Sequence, residues 1–332
     1  MAVSSPVVQA AAAVHFRNGT EVTEFFNAAA QTDFITWFNA HCANKEAWAG
    51  KSIGLSEQVK FRFRQIWDNI PVMFDSDTAS LLQFAALMSV VINEAGQQLL
   101  PVTEICGTAA CPGLAYPFNA IPGVKRSYNA APANRLAGEL FFHDEQFWMA
   151  HSHRAGADLI KGMAGTKQLW NGTVYPRYLF PTSLDPALSG FIQQADFFKF
   201  RGRGLIQVTW RANYRPIVAF VQGYAGENAV VEQYRDRWAS LSPDWACTIS
   251  SNEDWDALFQ RTDFIVAARA IALHNGACGN YLRLSSDPAI LSAASAVEGS
   301  LYNMGHRISG GSAYAALFSR RVAQMLNTLN HT

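Results

Sequence analysis

The sequence predicts a mainly α protein with small β or loop elements. From residue 77 onward, apolar runs recur between a capping side chain at one end and a glycine at the other, the usual marks of helix starts and stops. Their apolar positions cover either the whole helical circumference or one stripe of it, as expected for buried and for amphipathic helices respectively. Tracts rich in proline and glycine lie between them, at 101–135 and 162–198.

Taken in order, residues 1–75 read as a helical region of unassigned role, and 76–330 as a larger domain with an insertion at about 136–198. "ASLLQFAALMSVVINEAG" is the strongest helix, with Asp77 or Thr78 as cap and Gly96 as stop, and it is apolar nearly all round. "PIVAFVQ" and "WDALFQ" predict shorter helices. "TDFIVAARAIALHNG" repeats the design, with a Thr262 cap and a Gly276 stop. "SDPAILSAASAVEG" places Asp287 at the cap and Pro288 at the first helical position, where proline is tolerated. "SAYAALFSRRVAQMLNTL" is a final amphipathic helix.

Composition narrows the function. Of 332 residues 49% are apolar, enough for a sizeable core, while only 16% are charged and the formal net charge is zero. Electrostatic capture of nucleic acid is therefore not expected, nor is a polybasic membrane tether. The longest apolar run, "LLQFAALMSVVI", is too short to span a bilayer. "MAVSSPVVQAAAAVHFRN" lacks the basic start of a secretory signal, so synthesis in the cytoplasm is expected. Five scattered cysteines form no disulfide framework, although Cys106 and Cys111 are spaced for a local bridge. No cofactor is expected.

Two stretches carry chemistry. The first is Glu94, at the end of the apolar helix. A carboxyl there is partly desolvated, which disfavours its charged form and suits a general acid. The alternative is an ordinary first exposed residue, or a partner for an arginine. Glu104 follows ten residues later, and paired carboxylates are the usual equipment of glycoside hydrolysis. The second stretch is "FKFRGRGLIQVTWRANYRP", residues 199–217. Its Gly202-x-Gly204 does not complete a dinucleotide fingerprint, because Gln207 occupies the third glycine position. It reads better as a flexible turn followed by hydroxyl and amide side chains, which bind neutral sugars.

These stretches resemble family 19 glycoside hydrolases, the group of class I chitinases and many phage and bacterial endolysins. "INEAGQQLLPVTE" is similar to the family's His-Glu-Ser/Thr-Gly-Gly stretch, with a second glutamate about ten residues on. Asn93 stands where the histidine is usual, and Gln97 where a glycine is. "FRGRGLIQVTWRANY" closely resembles the signature Tyr-Arg-Gly-Arg-Gly-Pro/Leu-Ile-Gln-Leu-Thr-Gly-Arg-Ala-Asn-Tyr. "APANRLAG" and "HRISGG" are more faintly similar to further family segments. The resemblance spans roughly residues 78–325.

It implies a lysozyme-like fold of two helical lobes with a substrate cleft. It also implies Glu94 as general acid, Glu104 as base, and Thr209 as holder of the attacking water. Gln207, Asn213, Arg203 and Tyr214 fall among the implied substrate-binding residues, Arg203 bracing the site against a carboxylate. The flanking Arg201, Arg211 and Arg215 read as a solvated face. The expected substrate is peptidoglycan, with chitin second and a catalytically degenerate carbohydrate-binding protein as the non-enzymatic alternative. Expected partners are the polysaccharide itself and, for a chain made without a signal, holin or secretion machinery and an immunity protein, with action in the bacterial periplasm or cell wall.

One cluster stays open. His143, Asp144, Glu145, His151 and His153 lack a known zinc spacing and read as polar surface, although Asp144 or Glu145 is an alternative second carboxylate. Trp148, Trp170, Tyr175 and Tyr178 are candidates for stacking on sugar rings.

Overall fold

The computed structural model describes residues 5–104, 106–108, 111–112, 200–209, 211–243, 246–247, 250, 252–278, 294–309 and 312–331. The His143–His153 cluster, the four aromatic candidates and "APANRLAG" lie outside them, as do the side chains of Cys106 and Cys111.

Helices dominate as expected. In chain order the elements are α1 (Ser5–Ala13), β1 (His15–Phe16), α2 (Gly19–Ala30), α3 (Phe34–His41), α4 (Glu57–Asp68), α5 (Ile70–Phe74), β2 (Ala79–Ser80) and α6 (Leu81–Glu94). Short strands follow: β3 (Val102–Thr103), β4 (Cys106–Thr108), β5 (Cys111–Pro112) and β6 (Arg203–Gly204). Then come α7 (Arg211–Gln222), α8 (Ala229–Trp238), α9 (Asn252–Gln260), α10 (Ile265–Cys278), α11 (Ala294–Ser309) and α12 (Ser312–Leu329). None of the described helices is long and apolar enough to cross a membrane.

The chain divides into two compact units, Met1–Pro101 with Asp263–Thr332, and Val102–Thr262. In the first, α6 is the axis. Every residue from Leu81 to Ile92 is buried, which is what an all-round apolar helix requires. Phe84 meets Phe16, Phe26, Phe34, Phe63 and Trp67 within ring-centroid distances of 4.6–6.2 Å. Helices α1 and α12 pack on α6, and α10 packs on α5. At the crossing of α11 and α12, a Cβ on Gly305 would lie 2.9 Å from the Ala315 backbone, so the approach needs glycine there.

That packing corrects the expected boundary at 75/76. Residues 1–75 supply most of the aromatic wall around α6 and belong to the same unit as 76–101 and 263–332. The helix caps are corrected too. Ala79–Ser80 pair with His15–Phe16, and Ser80 rather than Asp77 or Thr78 caps α6 in a reciprocal box with Gln83. Thr262 does not cap α10. Its hydroxyl donates to the Leu258 carbonyl at 2.7 Å, Asp263 and Phe264 take left-handed backbone, and α10 starts at Ile265 and runs through Gly276. Asp287 and Pro288 lie outside the described residues, and α11 continues past Gly299.

Asn18, Asp33 and Ser56 cap α2, α3 and α4 through their side-chain oxygens. Asp33 gives the fold a pH dependence. Burial works to raise its pKa, yet the Thr36 amide and hydroxyl and the Lys60 ammonium together hold it below the ordinary carboxylate value. A depressed native pKa stabilises above the unfolded-state value and is lost as pH falls through the native one. The stability difference between wild type and Asp33→Asn should therefore be constant above roughly pH 5 and shrink below about pH 4. Urea unfolding at pH 7, 4 and 3 checks this, and a difference independent of pH would contradict it.

Candidate active site

The sequence-predicted residues fall into two groups, one in each unit. Glu94, the last residue of α6, belongs to the first. It is half-buried, and its Oε1 accepts from Asn93 Nδ2 at 2.8 Å. Asn93 is held in turn by Arg321 of α12, whose guanidinium donates to Asn93 Oδ1 at 2.8 Å and to the Ala47 carbonyl at 3.0 Å. Arg321 is 3% exposed and lies 5.0 Å above the Trp48 ring. Lys51 Nζ donates to the Asn93 carbonyl at 3.3 Å.

Electrostatics ties Tyr314 of α12 to the same carboxyl. Burial first, and then the charge of Glu94, push the Tyr314 phenol above its ordinary pKa. Burial lowers the pKa of Arg321, with Tyr314 and Glu94 acting in the opposite direction. A guanidinium nevertheless stays charged at neutral pH. The Tyr314 hydroxyl is buried and has no hydrogen-bond partner among the described residues. Neither Arg321, Lys51 nor Tyr314 carried any local signal toward Glu94 in the sequence. The "GKS" at 50–52, which resembles a fragment of a phosphate loop, instead delivers Lys51 to Asn93.

The second group is built on the antiparallel pair β3–β6, with Val102 opposite Gly204 and Thr103 opposite Arg203. This register brings Glu104 beside Gly202 across nearly a hundred residues. The Glu104 amide donates to the Gly202 carbonyl at 2.8 Å, and the Gly202 amide donates to Glu104 Oε2 at 3.1 Å. Arg201 Nε adds a bond to the Glu104 carbonyl at 3.1 Å. The expected solvated role of Arg201 is thus corrected, because its side chain is turned inward onto Glu104 and Asp256.

Gln207 sits at φ 54° in the turn that follows. Its Nε2 donates to the carbonyls of Val102 at 3.1 Å and Gly204 at 3.3 Å, so this amide group braces the turn. Thr209 Oγ1 donates to the Gln207 carbonyl at 2.9 Å, and Asn213 Nδ2 donates to the Thr209 carbonyl at 2.7 Å. Thr209 and Asn213 are half-buried, and the Asn213 carbonyl oxygen has no partner among the described residues.

Arg203 and Tyr214 are corrected as substrate contacts. Both are fully buried. Arg203 Nε donates to Asp256 Oδ1 at 2.7 Å and its terminal nitrogen to the Tyr214 oxygen at 3.3 Å, while Tyr214 donates to the Arg201 carbonyl at 2.6 Å. The Tyr214 ring packs among Phe200, Trp255 and Phe259. Burial opposes the charge of Arg203, but Tyr214 and Asp256 outweigh it and hold its pKa above the ordinary value. Burial pushes the Tyr214 phenol up to about 12. The expected brace against a carboxylate is present, and the carboxylate is Asp256 of "WDALFQ", which also accepts from Thr103 Oγ1 at 2.9 Å.

Gly202 is the tightest point of this group. A Cβ there would lie 2.6 Å from Gln207 Oε1 and 3.3 Å from Glu104 Oε2. Gly202→Ala should therefore displace both side chains while costing little elsewhere. Because displacement by about 1 Å can cost on the order of 100-fold, turnover should fall by that order with KM little changed. Unaltered turnover in a folded variant would mean that Glu104 and Gln207 do not act from these positions.

Among the described residues no group of His, Cys, Asp and Glu is arranged to hold a metal ion. Comparison with models of known families, with curated proteins and with solved structures returns no match.

Proposed function

We propose that the chain is a glycoside hydrolase that cleaves β-1,4 bonds next to N-acetylated sugars, peptidoglycan being the substrate, on a lysozyme-like fold of two lobes with a cleft. The observation that carries this reading is the local construction of Glu104. A carboxylate fixed by a backbone amide, beside a turn bearing a hydroxyl and an amide side chain, is equipment for orienting water against a neutral sugar. Its residues are also those of the stretch that resembles the family 19 signature.

In this reading Glu94 protonates the leaving oxygen and Glu104 takes a proton from water. The Thr209 hydroxyl hydrogen is committed to the Gln207 carbonyl, so Oγ1 meets a water as an acceptor. Water that gives one hydrogen to Thr209 and the other to Glu104 directs a lone pair at the anomeric carbon. Asn213 offers its carbonyl oxygen to an acetamido N–H. Inversion requires the two carboxyl groups to stand about 6.5–9.5 Å apart across the bond. The setting for such chemistry is the bacterial cell wall, reached with the help of holin or secretion machinery.

Gels containing peptidoglycan or glycol chitin test the substrate class, and NMR of the first product anomers tests the stereochemistry. Clearing of peptidoglycan with the α-anomer appearing first is expected. Clearing only of chitin would reassign the substrate, and β-anomer first would remove Glu104 as base. Polymer binding with no clearing in either gel would identify a carbohydrate-binding protein.

A further inference from the structure

The geometry around Asn93 leads us to propose that Arg321 is a positioning residue for Glu94, acting through the Asn93 amide to decide which carboxyl oxygen carries the catalytic proton. The proposal rests on the reading of Glu94 as general acid.

A guanidinium has donors only, so the atom of Asn93 that faces Arg321 at 2.8 Å must be its carbonyl oxygen. The amide is thereby prevented from flipping, and its Nδ2 is turned toward Glu94. Glu94 Oε1, receiving that hydrogen at 2.8 Å, is held as an acceptor in either protonation state, and the acid proton belongs on Oε2.

The relay has a rigid base. Arg321 is anchored at its other end by the Ala47 carbonyl and by the face of Trp48. The loop carrying Ala47 is itself pinned from α12, since the Ala47 amide donates to Gln324 Oε1 at 3.1 Å. Lys51 steadies the Asn93 backbone from the same side. The result is an acid whose orientation is set by a charged group that does not itself touch its oxygens in any described contact.

The test is a double-mutant cycle on the full chain, with two readouts. Arg321→Met keeps a linear side chain over Trp48 but removes the donors, and Asn93→Ala removes the relay. Each should lower kcat about 10- to 100-fold, the scale of a misplaced catalytic group, with KM within about twofold. The double variant should be no slower than the worse single one, since both break the same connection. Effects that multiply would overturn the proposal. Arg321→Lys, which keeps the charge but not the fork, should remain slow. If Arg321→Met proves poorly folded, a fast Arg321→Lys overturns the proposal by itself.

The second readout needs no turnover. The Glu94 carboxyl carbon can be followed by ¹³C NMR and assigned by its absence in Glu94→Gln. The charged and titratable groups placed toward this carboxyl among the described residues are Arg321 and Tyr314 of α12 and, through Asn93, Lys51. Loss of the cation, or of the hydrogen bond to Oε1, favours the neutral acid. The Glu94 midpoint should therefore rise in Arg321→Met and in Asn93→Ala, and rise highest in the double variant, where both are lost. An unmoved midpoint overturns the relay. A wild-type chain without lytic turnover but with this midpoint pattern would refute the hydrolase reading and leave the relay standing.

Discussion

Glu94→Gln should lower turnover by roughly 100-fold or more, the usual contribution of a general acid, and leave the fold intact. Glutamine keeps the shape and the acceptor oxygen that meets Asn93 Nδ2. It removes only the transferable proton. The Asn93 amide accepts the neutral replacement, because its Nδ2 still meets an acceptor oxygen. KM should stay near wild type, since the bound sugar loses no ground-state contact. Turnover of soluble peptidoglycan fragments, with thermal unfolding as the control, measures this. A folded Glu94→Gln chain that lyses at the wild-type rate would remove Glu94 from the chemistry.

Asp256→Ala should cost about 3–5 kcal/mol, the range for breaking a buried ion pair by removing one partner. The guanidinium of Arg203 is fully buried, and its Nε donates to Asp256 Oδ1 at 2.7 Å. Without that carboxylate the buried charge loses its 2.7 Å acceptor and keeps the longer contact to the Tyr214 oxygen at 3.3 Å. Thr103 Oγ1 loses its acceptor in the same step. Arg203→Met should cost less, because the stranded group is then the Asp256 side chain, which is 34% exposed and can be solvated. Scaled for a unit of this size, Asp256→Ala corresponds to a fall in Tm of roughly 6–20 °C. Calorimetry of the two variants decides the matter, and a larger loss in Arg203→Met would show that the burial of Arg203 is not the controlling term.

Where a feature depended on neighbours along the chain, the sequence was enough to read it. The apolar circumference of 81–92 announced a buried helix, and a glutamate at its end was bound to lie at a boundary. The amphipathic stripe of α12 was equally plain. Arg203 among glycines called for a carboxylate, but nothing local pointed to Asp256, fifty-three residues away. Arg321 stands 228 residues from Asn93, and no periodicity connects them. Asp77 and Thr78 are good cap residues, and they lost to Ser80 because β1 captures the segment between. Tyr214 was a sugar contact only by the resemblance, and it falls on the inward face of α7, where ring packing governs it. The residues that fold by distant pairing are those that local pattern could not assign.

The discontinuity of the first unit bears on how the protein is made. Helix α6 is complete at Glu94, but its partner α12 starts only at Ser312. At roughly 5–20 residues per second, a ribosome takes on the order of 10–45 s to cover that interval. Throughout it, the side of α6 that faces α12 has no cover from its own chain, and Asn93 has no arginine. The second unit is one continuous segment and is finished first, so the order of completion is the reverse of the order of synthesis. A nascent chain in this state exposes one side of the longest apolar run in the sequence, and any product released before α12 is translated keeps that side exposed and carries a Glu94 whose orientation is not set.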